Sequence, residues 1–522
     1  MEMMRNQCVT QIVLLIVTLF SSPYLAGQTS YPIQSQPQGG DRRGSYYYDD
    51  EEAQKVYDET GRIPRLYKDP KLYLHNMTLL ARVERAGRGF GGGQMMTIGG
   101  NRYLVGGGVI LDVTNPKEPV IVNQRAPGGE VAYNKALGKW VLMQSHQCCG
   151  VTVDEVQGKK PHAKIPPGTR VGVTFHDITD PRNVVEISHF STGPGSFGTH
   201  GDGNYYDGGR YAYLSSRPPG HRGQMPYEEI EPVLQIIDVS DMKNPKEVST
   251  WWVPGQKTTE ESAFLRWPEA ERYIKQSQEK TWSPDWKYHY LHFHGPCFVP
   301  QRVEDGGNRG YCAWGALGLR ILDFADIRQP KEVSTLDISP PFDAGIPVHT
   351  AYPMPQRKLA FINGETTRWD CHEGVVTPWV VDLRAEKFPM LIASFPVPKP
   401  PPGAPYNDFC FRGGRFGIHH PQDFKAPGEP RIDLMGYSWF EGGWRLYDVS
   451  NPFRPEEVAW IVPPMGERRG TEKALIEWDR KIIHVFSDSG LYILSSPVLG
   501  EPVLGPLRPE RWSTEGLNVG TP

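Results

Sequence analysis

The 522-residue sequence predicts an all-β fold, a seven-bladed β-propeller, and three observations support this prediction. A short apolar strand that ends in Asp recurs along most of the chain. After most copies, a proline precedes a second strand-like run. Turn-forming residues are abundant, with 56 Gly and 49 Pro. The copies of the recurring strand are Val109–Asp112, Val173–Asp177, Gln235–Asp238, Arg320–Asp323, Trp379–Asp382 and Arg445–Asp448.

Each repeat unit contains four predicted strands. In the third unit they are a run after His200, then Arg210–Ser215, Leu234–Asp238 and Lys246–Trp252. The Asp that ends the third strand is followed by Ser or Thr and then Pro in most units. Its carboxylate can accept hydrogen bonds from nearby backbone N–H groups, and the Pro ends the strand pairing. Four antiparallel strands per unit, repeated about six or seven times, are typical of a β-propeller.

The third strands also carry a family resemblance. Leu234–Val239 reads Leu-Gln-Ile-Ile-Asp-Val, and Leu319–Phe324 reads Leu-Arg-Ile-Leu-Asp-Phe. Both resemble the LVIVD repeat of secreted bacterial propellers, and the resemblance extends over residues 90–497. Membership of that family would imply a propeller that is exported from a bacterial cytoplasm. The last copy, Leu491–Pro497, departs from the repeat because it lacks the Asp.

The two ends of the repeat region are complementary. The last unit ends before a fourth strand, whereas Pro70–Val83, upstream of the first unit, resembles a fourth strand without a blade of its own. We expect this N-terminal strand to pair with the last unit and close the ring, which leaves no open sheet edge. The propeller then spans residues 70–497. Two rim-loop inserts, 254–291 and 397–418, each precede a first strand and suggest a lid.

The N-terminal segment predicts export. Residues 1–27 contain an early Arg, an apolar run and small residues at a possible cleavage site, as in a signal peptide. Residues 28–69 form a polar arm, and residues 498–522 form a C-terminal tail. We therefore expect a secreted or periplasmic protein without a membrane span, in which the six remaining cysteines could form disulfides. A net charge of −4 favours neither nucleic acid nor an anionic membrane as a partner.

Aligning the first strands of the units places histidines at equivalent positions. Unit five, from His349, aligns without a gap with unit two, from Glu130, and with unit seven, from Glu472. Units three, four and six begin their first strands with His-Gly or His-Pro. Because the first strand of a propeller blade is its innermost strand, one position repeated through the blades should form a circle around the central channel. In blade order this column holds Gln94, Glu130, His200, His294, His349, His420 and Glu472.

Four imidazoles that converge on the channel predict a bound divalent transition metal, with Fe(II) as the first choice and Cu, Mn or Zn as alternatives. The predicted metal ligands are His200, His294, His349 and His420. The predicted residues that orient these ligands are Glu130, Glu472 and Gln94. The alternative interpretation is that the histidines of the repeat only form hydrogen bonds between blades.

Other polar residues adjoin the column. His292 and His419 flank it, and either could contact the substrate or replace one of the predicted ligands. Candidates for acid–base catalysis near the metal are His292, Asp202, Tyr352 and Asp423. No Gly-x-Ser-x-Gly motif indicates a serine nucleophile, and the Gly-rich runs at 91–93 and 106–108 are not followed by a helix pattern that would indicate a phosphate site.

A four-histidine centre on a propeller axis is similar to the sites of two other families. Carotenoid-cleaving oxygenases hold Fe(II) with four histidines, and selenium-binding methanethiol oxidases use copper at a His-lined axial site. Oligogalacturonate lyase, with axial histidines and Mn(II), is a third analogue. These are analogies of site and architecture, because the sequence motifs of those families are missing from this chain.

Aromatic residues beside the column and on the inserts, among them Trp251, Trp314 and Trp439, favour an apolar or aromatic substrate. We therefore expect a secreted metal-dependent oxidoreductase or oxygenase that acts on a small molecule of this kind. The alternatives are a lyase or hydrolase at the same centre, or a non-catalytic extracellular binding protein.

Overall fold

Seven antiparallel sheets of four strands each make up almost all of the regular structure in the computed structural model. The structure describes residues 69–84, 89–148, 168–221, 223–224, 229–230, 232–267, 270, 293–338, 346–367, 375–466 and 470–507. All of these residues belong to one compact unit. The predicted signal peptide, the polar arm up to residue 68 and the C-terminal tail from residue 508 lie outside the described residues.

Each sheet is one blade, and the strands follow the chain with few exceptions. Two strands precede the first blade, β1 (Tyr73–His75) and β2 (Thr78–Val83). Blade 1 contains β3 (Gly93–Ile98), β4 (Asn101–Gly106), β5 (Val109–Asp112) and β6 (Val120–Asn123). Blade 2 contains β7 (Glu130–Asn134), β8 (Lys139–His146), β9 (Gly172–Asp177) and β10 (Val185–Ser191). Blade 3 contains β11 (Tyr205–Tyr206), β12 (Tyr211–Ser216), β15 (Val233–Asp238) and β16 (Lys246–Trp251), with a hairpin of β13 (Gly223–Gln224) and β14 (Glu229–Ile230) inserted in the chain before β15.

The remaining blades have the same arrangement. Blade 4 contains β17 (Cys297–Phe298), β18 (Arg309–Ala313), β19 (Leu319–Asp323) and β20 (Lys331–Leu336). Blade 5 contains β21 (Ile346–Met354), β22 (Leu359–Glu365), β23 (Trp379–Asp382) and β24 (Met390–Ser394). Blade 6 contains β25 (Leu434–Ser438), β26 (Trp444–Asp448) and β27 (Glu456–Val462), and blade 7 contains β28 (Thr471–Glu477), β29 (Ile482–Ser487) and β30 (Gly490–Ser495).

The first strands of successive blades contact each other and define the inner wall of a ring. Contacts join β3 to β7, β7 to β11, β17 to β21 and β25 to β28, and β28 of the last blade contacts β3 of the first. The side chain of Ser215 joins blades 3 and 4 through the carbonyl of Phe293 (2.8 Å). Backbone bonding of Thr366 to Ile418 (3.1 Å) joins blades 5 and 6. The prediction of a seven-bladed β-propeller is confirmed.

The N-terminal strands complete the last two blades. Strand β2 pairs antiparallel with β30 and is the outermost strand of blade 7. Strand β1 pairs with β27 and is the outermost strand of blade 6. The predicted closure by an N-terminal strand is confirmed, and the structure adds a second such strand that the sequence analysis did not separate from the first.

The conserved geometry of the Asp turn explains the recurring sequence motif. In blades 1 to 6 the Asp that ends the third strand accepts a hydrogen bond from the backbone N–H two residues later, at distances from 2.7 to 3.0 Å. The six acceptors are Asp112, Asp177, Asp238, Asp323, Asp382 and Asp448. In blade 7, where the Asp is missing, the hydroxyl of Ser496 accepts from the N–H of Val498 (3.3 Å).

Parts of both inserts are described. The first contains one short helix, α1 (Glu261–Phe264), before the described residues end. The second, 397–418, has little regular structure but packs against blade 6 through Arg412, whose buried guanidinium donates to the carbonyl oxygens of Glu441 and Pro463. In blade 4, a disulfide joins Cys297 and Cys312 on paired strands. No helix in the described part of the chain is long and apolar enough to cross a membrane.

Candidate metal centre

The innermost segments of blades 3 to 6 bring the four predicted histidine ligands into a chain of ring contacts. The ring centroids of His200 and His294 are 4.6 Å apart, those of His294 and His349 are 4.8 Å apart, and those of His349 and His420 are 4.8 Å apart. His349 is fully buried, His294 and His420 are buried, and His200 is partly exposed. The alignment of first strands therefore identified side chains that meet in space.

Two local features of the backbone bring His294 and His349 together. The pairing of β21 with β22 has an irregularity between Ile346 and Thr350, so His349 lies in a bulge. Bulges of this kind redirect side chains and are frequent beside functional sites. On the neighbouring blade, Gly295 packs directly against the backbone carbonyl of His349, and a Cβ atom at this position would overlap that oxygen. The absence of a side chain at Gly295 allows blades 4 and 5 to approach each other at the site.

The same bulge places a carboxylate among the imidazoles. Glu365, at the end of β22, lies with Oε2 at 3.4 Å from Nε2 of His294 and at 3.7 Å from Nε2 of His349. These separations exceed an ordinary hydrogen bond, which is about 2.7–3.2 Å. Two ligands that bind one ion at about 2.1 Å are held roughly 3.0–3.5 Å apart, depending on the coordination geometry. The first separation falls within this range and the second lies just above it, so the carboxylate and the two imidazoles are close enough to share one metal ion.

His419 is a third imidazole close to the carboxylate of Glu365. Its Nε2 lies 3.6 Å from Oε1 of Glu365, and its Nδ1 lies 3.2 Å from Oε2 of Glu472. Its ring stacks on Phe440, with centroids 4.6 Å apart. The guanidinium of Arg415, which belongs to the second insert, donates to Oε1 of Glu365 at 2.8 Å. The insert therefore contributes a residue that orients the central carboxylate.

The protonation states favour metal binding. Burial, and then the neighbouring His294, lowers the pKa of His349 well below its usual value, and burial with His419 does the same to the pKa of His420. Burial alone would raise the pKa of Glu365, but His419, His294 and Arg415 outweigh it and hold that pKa well below its usual value. Neutral imidazoles and an ionised carboxylate are the forms that bind metal ions.

The residues present fit a divalent metal ion. The donor atoms of His294, His349 and Glu365 lie within 4.8 Å of one another, as do those of His349, His419 and His420. The Nε2 atom of His349 is buried and forms no hydrogen bond with the described residues, whereas its Nδ1 lies 2.7 Å from the Thr350 hydroxyl. A ligand histidine commonly uses one nitrogen for the metal and the other for an orienting hydrogen bond.

The predicted ligand His200 lies at the edge of the cluster. It belongs to neither group of three donors, and its Nδ1 lies 3.2 Å from Oε1 of Gln147. Of the predicted orienting residues, Glu472 contacts His419, as described above. The other two, Gln94 and Glu130, lie on the opposite side of the channel, where the Nε2 of Gln94 is 3.4 Å from Oε1 of Glu130.

That opposite side is filled by the tripeptide Asp423–Lys425, here termed the plug. The backbone N–H of Asp423 donates to the carbonyl of Ala474 in blade 7 (2.8 Å), and the amide of Gln94 in blade 1 donates to its carboxylate (3.0 Å). Phe424 packs on one aromatic ring from each of blades 3, 4 and 5. The centroid distances are 6.4 Å to Tyr205, 4.8 Å to Phe298 and 4.9 Å to Tyr352.

Lys425 completes the plug. Its ammonium forms an ion pair with Glu130 in blade 2 (2.6 Å) and donates to the carbonyl oxygens of Val131 (3.1 Å) and Tyr206 (2.9 Å). The plug therefore contacts the innermost strands of all six other blades and occupies the channel axis on this side.

The four predicted acid–base candidates have different surroundings. Asp423 is part of the plug, where burial raises its pKa. Tyr352 packs against Phe424 and Phe298, and burial raises its pKa too. Asp202 lies in a 3₁₀ turn after His200 and pairs with Lys473 at 3.1 Å. His292 lies outside the described residues.

The sequence analysis did not identify Glu365, Arg415 or Lys473. The alignment used the first strands of the units, whereas Glu365 ends a second strand and Arg415 lies in an insert without a repeat counterpart. Lys473 immediately follows an aligned residue, Glu472, but nothing in the sequence distinguishes a functional lysine in a strand from an ordinary surface lysine. Only the adjacent His419–His420 pair indicated that more than one imidazole of blade 6 could reach the cluster.

Comparison with known proteins finds solved structures with low similarity to this chain. No protein-family model matches the chain, and no curated protein matches it in sequence. The chain is similar to the β-propeller domain of Cps50 (Swd1) from Myceliophteria thermophila, with 12% identity and a TM-score of 0.42 over 80% of this chain and 99% of that one. It is also similar to Sqt1 from Saccharomyces cerevisiae, with 8% identity and a TM-score of 0.43 over 80% of this chain and 99% of that one.

A third similar structure is Raptor from Chaetomium thermophilum, with 10% identity and a TM-score of 0.42. The match covers 81% of this chain but only 30% of Raptor. Similarities at these identities and TM-scores support no statement about function.

Proposed function

We propose that this protein is a metal-dependent propeller enzyme that binds one divalent transition metal ion with His294, His349 and Glu365. The spacing of the three donor atoms, 3.4 Å and 3.7 Å from the carboxylate to the two imidazoles, is the observation that carries the proposal. His419 and His420, whose donor atoms form a second group of three with His349, are candidates for additional nitrogen ligands. The LVIVD resemblance and the N-terminal segment support a secreted or periplasmic location.

Fe(II) is the ion that we favour. Two histidines and one carboxylate on one face of the ion, with other positions open, are typical of non-haem Fe(II) oxygenases. The bound ion would supply a site for activating O₂ beside a small substrate. Arg415 fixes the orientation of Glu365 through its 2.8 Å hydrogen bond, and Oε2 of Glu472 lies 3.2 Å from Nδ1 of His419. The reaction class that we propose is therefore oxidation of a small molecule.

The described tryptophans give little support to the apolar or aromatic substrate that the sequence led us to expect. The side chains of Trp314, Trp439 and Trp444 are fully buried and belong to the core. Charged groups instead surround the histidine cluster, including the partly exposed pair of Asp202 and Lys473. These surroundings support a polar substrate better than an apolar or aromatic one.

Metal content tests the proposal. The full-length protein, purified without chelator and supplemented in turn with Fe(II), Cu, Mn and Zn, should contain about one ion per chain. The variants His294→Ala and His349→Ala should each lose most of this metal. His75→Ala is a matched control, because His75 is an exposed residue of an outermost strand. Metal-free wild-type protein under all four conditions, or unchanged metal content in both site variants, would overturn the proposal.

A further inference from the structure

An ion pair crosses the channel beside the histidine cluster. The ammonium of Lys473, on the inner strand of blade 7, lies 3.1 Å from Oδ1 of Asp202, in the turn that starts blade 3. These blades are not neighbours, since blades 4 to 6 separate them on one side of the ring and blades 1 and 2 on the other. The two side chains therefore meet only across the axis.

The pair is more accessible than the proposed ligands His294 and Glu365. The side chains of Asp202 and Lys473 are 43% and 27% exposed, whereas those of His294 and Glu365 are each 9% exposed. A ligand that approaches the cluster through the solvent-accessible part of the channel meets these two charges. The exposure and position of the pair are those of a binding group rather than of a structural link.

The charge balance of the site indicates the sign of that ligand. The cluster has three carboxylates, Glu365, Glu472 and Asp202, against two cations, Arg415 and Lys473, which gives a net charge of −1 with neutral imidazoles. A divalent ion changes this sum to +1. One negative charge on a ligand would then bring the site to neutrality. On the plug side of the channel, the charges of Glu130 and Lys425 compensate each other, and burial raises the pKa of the Asp423 carboxyl, which favours its neutral form.

From these observations we infer that Lys473 binds the carboxylate of a small anionic substrate, and that Asp202 occupies this position on Lys473 until the substrate displaces it. The inference rests on the proposed metal centre, because the excess positive charge requires the ion. A small carboxylate would contact both Lys473 and an open position on the metal. Asp202, once released, remains beside the bound substrate at the edge of the cluster.

Two substitutions should have opposite effects on anion binding. The probe is acetate, titrated into the full-length protein loaded with Co(II), whose visible absorption reports ligand binding. Lys473→Met should weaken acetate binding roughly tenfold to hundredfold, as expected for loss of one charge-assisted hydrogen bond. Asp202→Asn should strengthen it several-fold, because the competing carboxylate is removed. A merely structural pair would give weaker binding in both variants.

Controls separate the two proposals. Lys473→Arg should retain acetate binding, and Lys139→Met, which removes an exposed lysine paired with Asp177 on blade 2, should leave it unchanged. Acetamide, the neutral counterpart of acetate, should bind at least tenfold more weakly than acetate to wild-type protein. If wild-type protein acquires no Co(II) absorption, the metal centre itself is wrong. If Co(II) binds but acetate leaves its spectrum unchanged, or if Lys473→Met binds acetate as wild type does, only the inference about Lys473 is wrong.

Discussion

The carboxylate of Glu365 lies 3.7 Å from Nε2 of His349, an imidazole nitrogen that is fully enclosed and has no hydrogen-bond partner among the described residues. A buried polar atom without a partner costs free energy, so its retention needs an explanation. A shared metal ion would satisfy both groups at once. Glu365 reaches this position because β22 ends opposite the bulge that contains His349.

Replacement of Glu365 by Gln should weaken metal binding. The change keeps the volume of the side chain but removes its charge, and we expect a loss of affinity of roughly ten- to hundredfold or more. Competition with a chelator of known affinity measures this effect. Glu386→Gln, in an outer ion pair with Arg309, serves as the control and should bind metal normally. Equal affinities in Glu365→Gln and wild type would exclude Glu365 as a ligand.

A methyl group at position 295 should disrupt the site. In Gly295→Ala the added Cβ meets the carbonyl of His349, so blades 4 and 5 must move apart. We expect destabilisation by about 1–3 kcal/mol, as for other overpacked positions, together with reduced metal content. Thermal unfolding and metal analysis measure the two effects. Gly128→Ala, where no atom lies within 4 Å of the added Cβ, should match wild type. Normal metal content in Gly295→Ala would contradict the role of this close approach.

Loss of Lys425 should destabilise the whole ring. In Lys425→Met the carboxylate of Glu130, 19% exposed, loses its ion pair in the channel. We expect the free energy of unfolding to fall by about 3 kcal/mol, the lower end of the range for buried pairs because Glu130 keeps some solvent contact. Denaturant unfolding measures this change. The exposed pair of Lys139 and Asp177 offers a matched control, and Lys139→Met should cost less than about 1 kcal/mol.

A double substitution distinguishes the ion pair from other contributions of Lys425. Adding Glu130→Gln to Lys425→Met should cost much less than the sum of the two single changes, since the uncompensated charge is removed. Additive effects would mean that Lys425 acts mainly through its bonds to Val131 and Tyr206.

Glu477 should make stability depend on pH in the acid range. It is fully buried with His484, 2.7 Å away, and close to Arg102 and Arg480. Burial would raise its pKa, but Arg480, His484 and Arg102 outweigh this and lower it from the usual 4.5. The ionised carboxylate therefore stabilises the fold fully at a pH above the pKa of Glu477 in the unfolded chain, which is 4.5. This stabilisation is lost as the pH falls below 4.5 towards the lower pKa of Glu477 in the folded protein.

The corresponding measurement is the free energy of unfolding from pH 7 down to pH 3. The gap between wild type and Glu477→Gln should be widest near neutral pH and should narrow below pH 4.5. Glu118→Gln, an exposed substitution at a turn, should show no such gap. A constant difference across the range would mean that the ionisation of Glu477 is not coupled to folding.

The sequence predicted the architecture because its signals are local and repeated. In the Asp turn, the Asp side chain accepts a hydrogen bond from the backbone N–H two residues later, as at Asp112 and Asp448. Such a turn depends only on neighbouring residues, so it can be predicted from the local sequence. The histidine column followed from the same repeat, since equivalent positions in equivalent strands must lie on one circle. These inferences need no knowledge of how distant segments pack.

The parts of the site that the sequence did not predict depend on departures from the repeat. Glu365 lies in the cluster because the pairing of β21 with β22 is irregular, and the sequence of β21 does not indicate this irregularity. Arg415 arrives from an insert with no counterpart in other blades. Gln94 and Glu130 are in the predicted circle but pair with the plug, because Asp423 and Lys425 reach across the axis. Long-range contacts of this kind produce no repeating pattern in the sequence, so they cannot be predicted from the repeat.

The arrangement of β1 and β2 has a consequence for how the molecule is made. These two strands precede all seven blades in the chain, yet their partners β27 and β30 belong to blades 6 and 7. Strand β1 must remain unpaired until β27 is synthesised, and β2 until β30 is synthesised, so the ring closes only after nearly all of the blades have been made. Strand pairing between such distant segments predicts slow folding. Until the pairs form, the sheets of blades 6 and 7 have unpaired edges, and a chaperone would protect the incomplete propeller from aggregation.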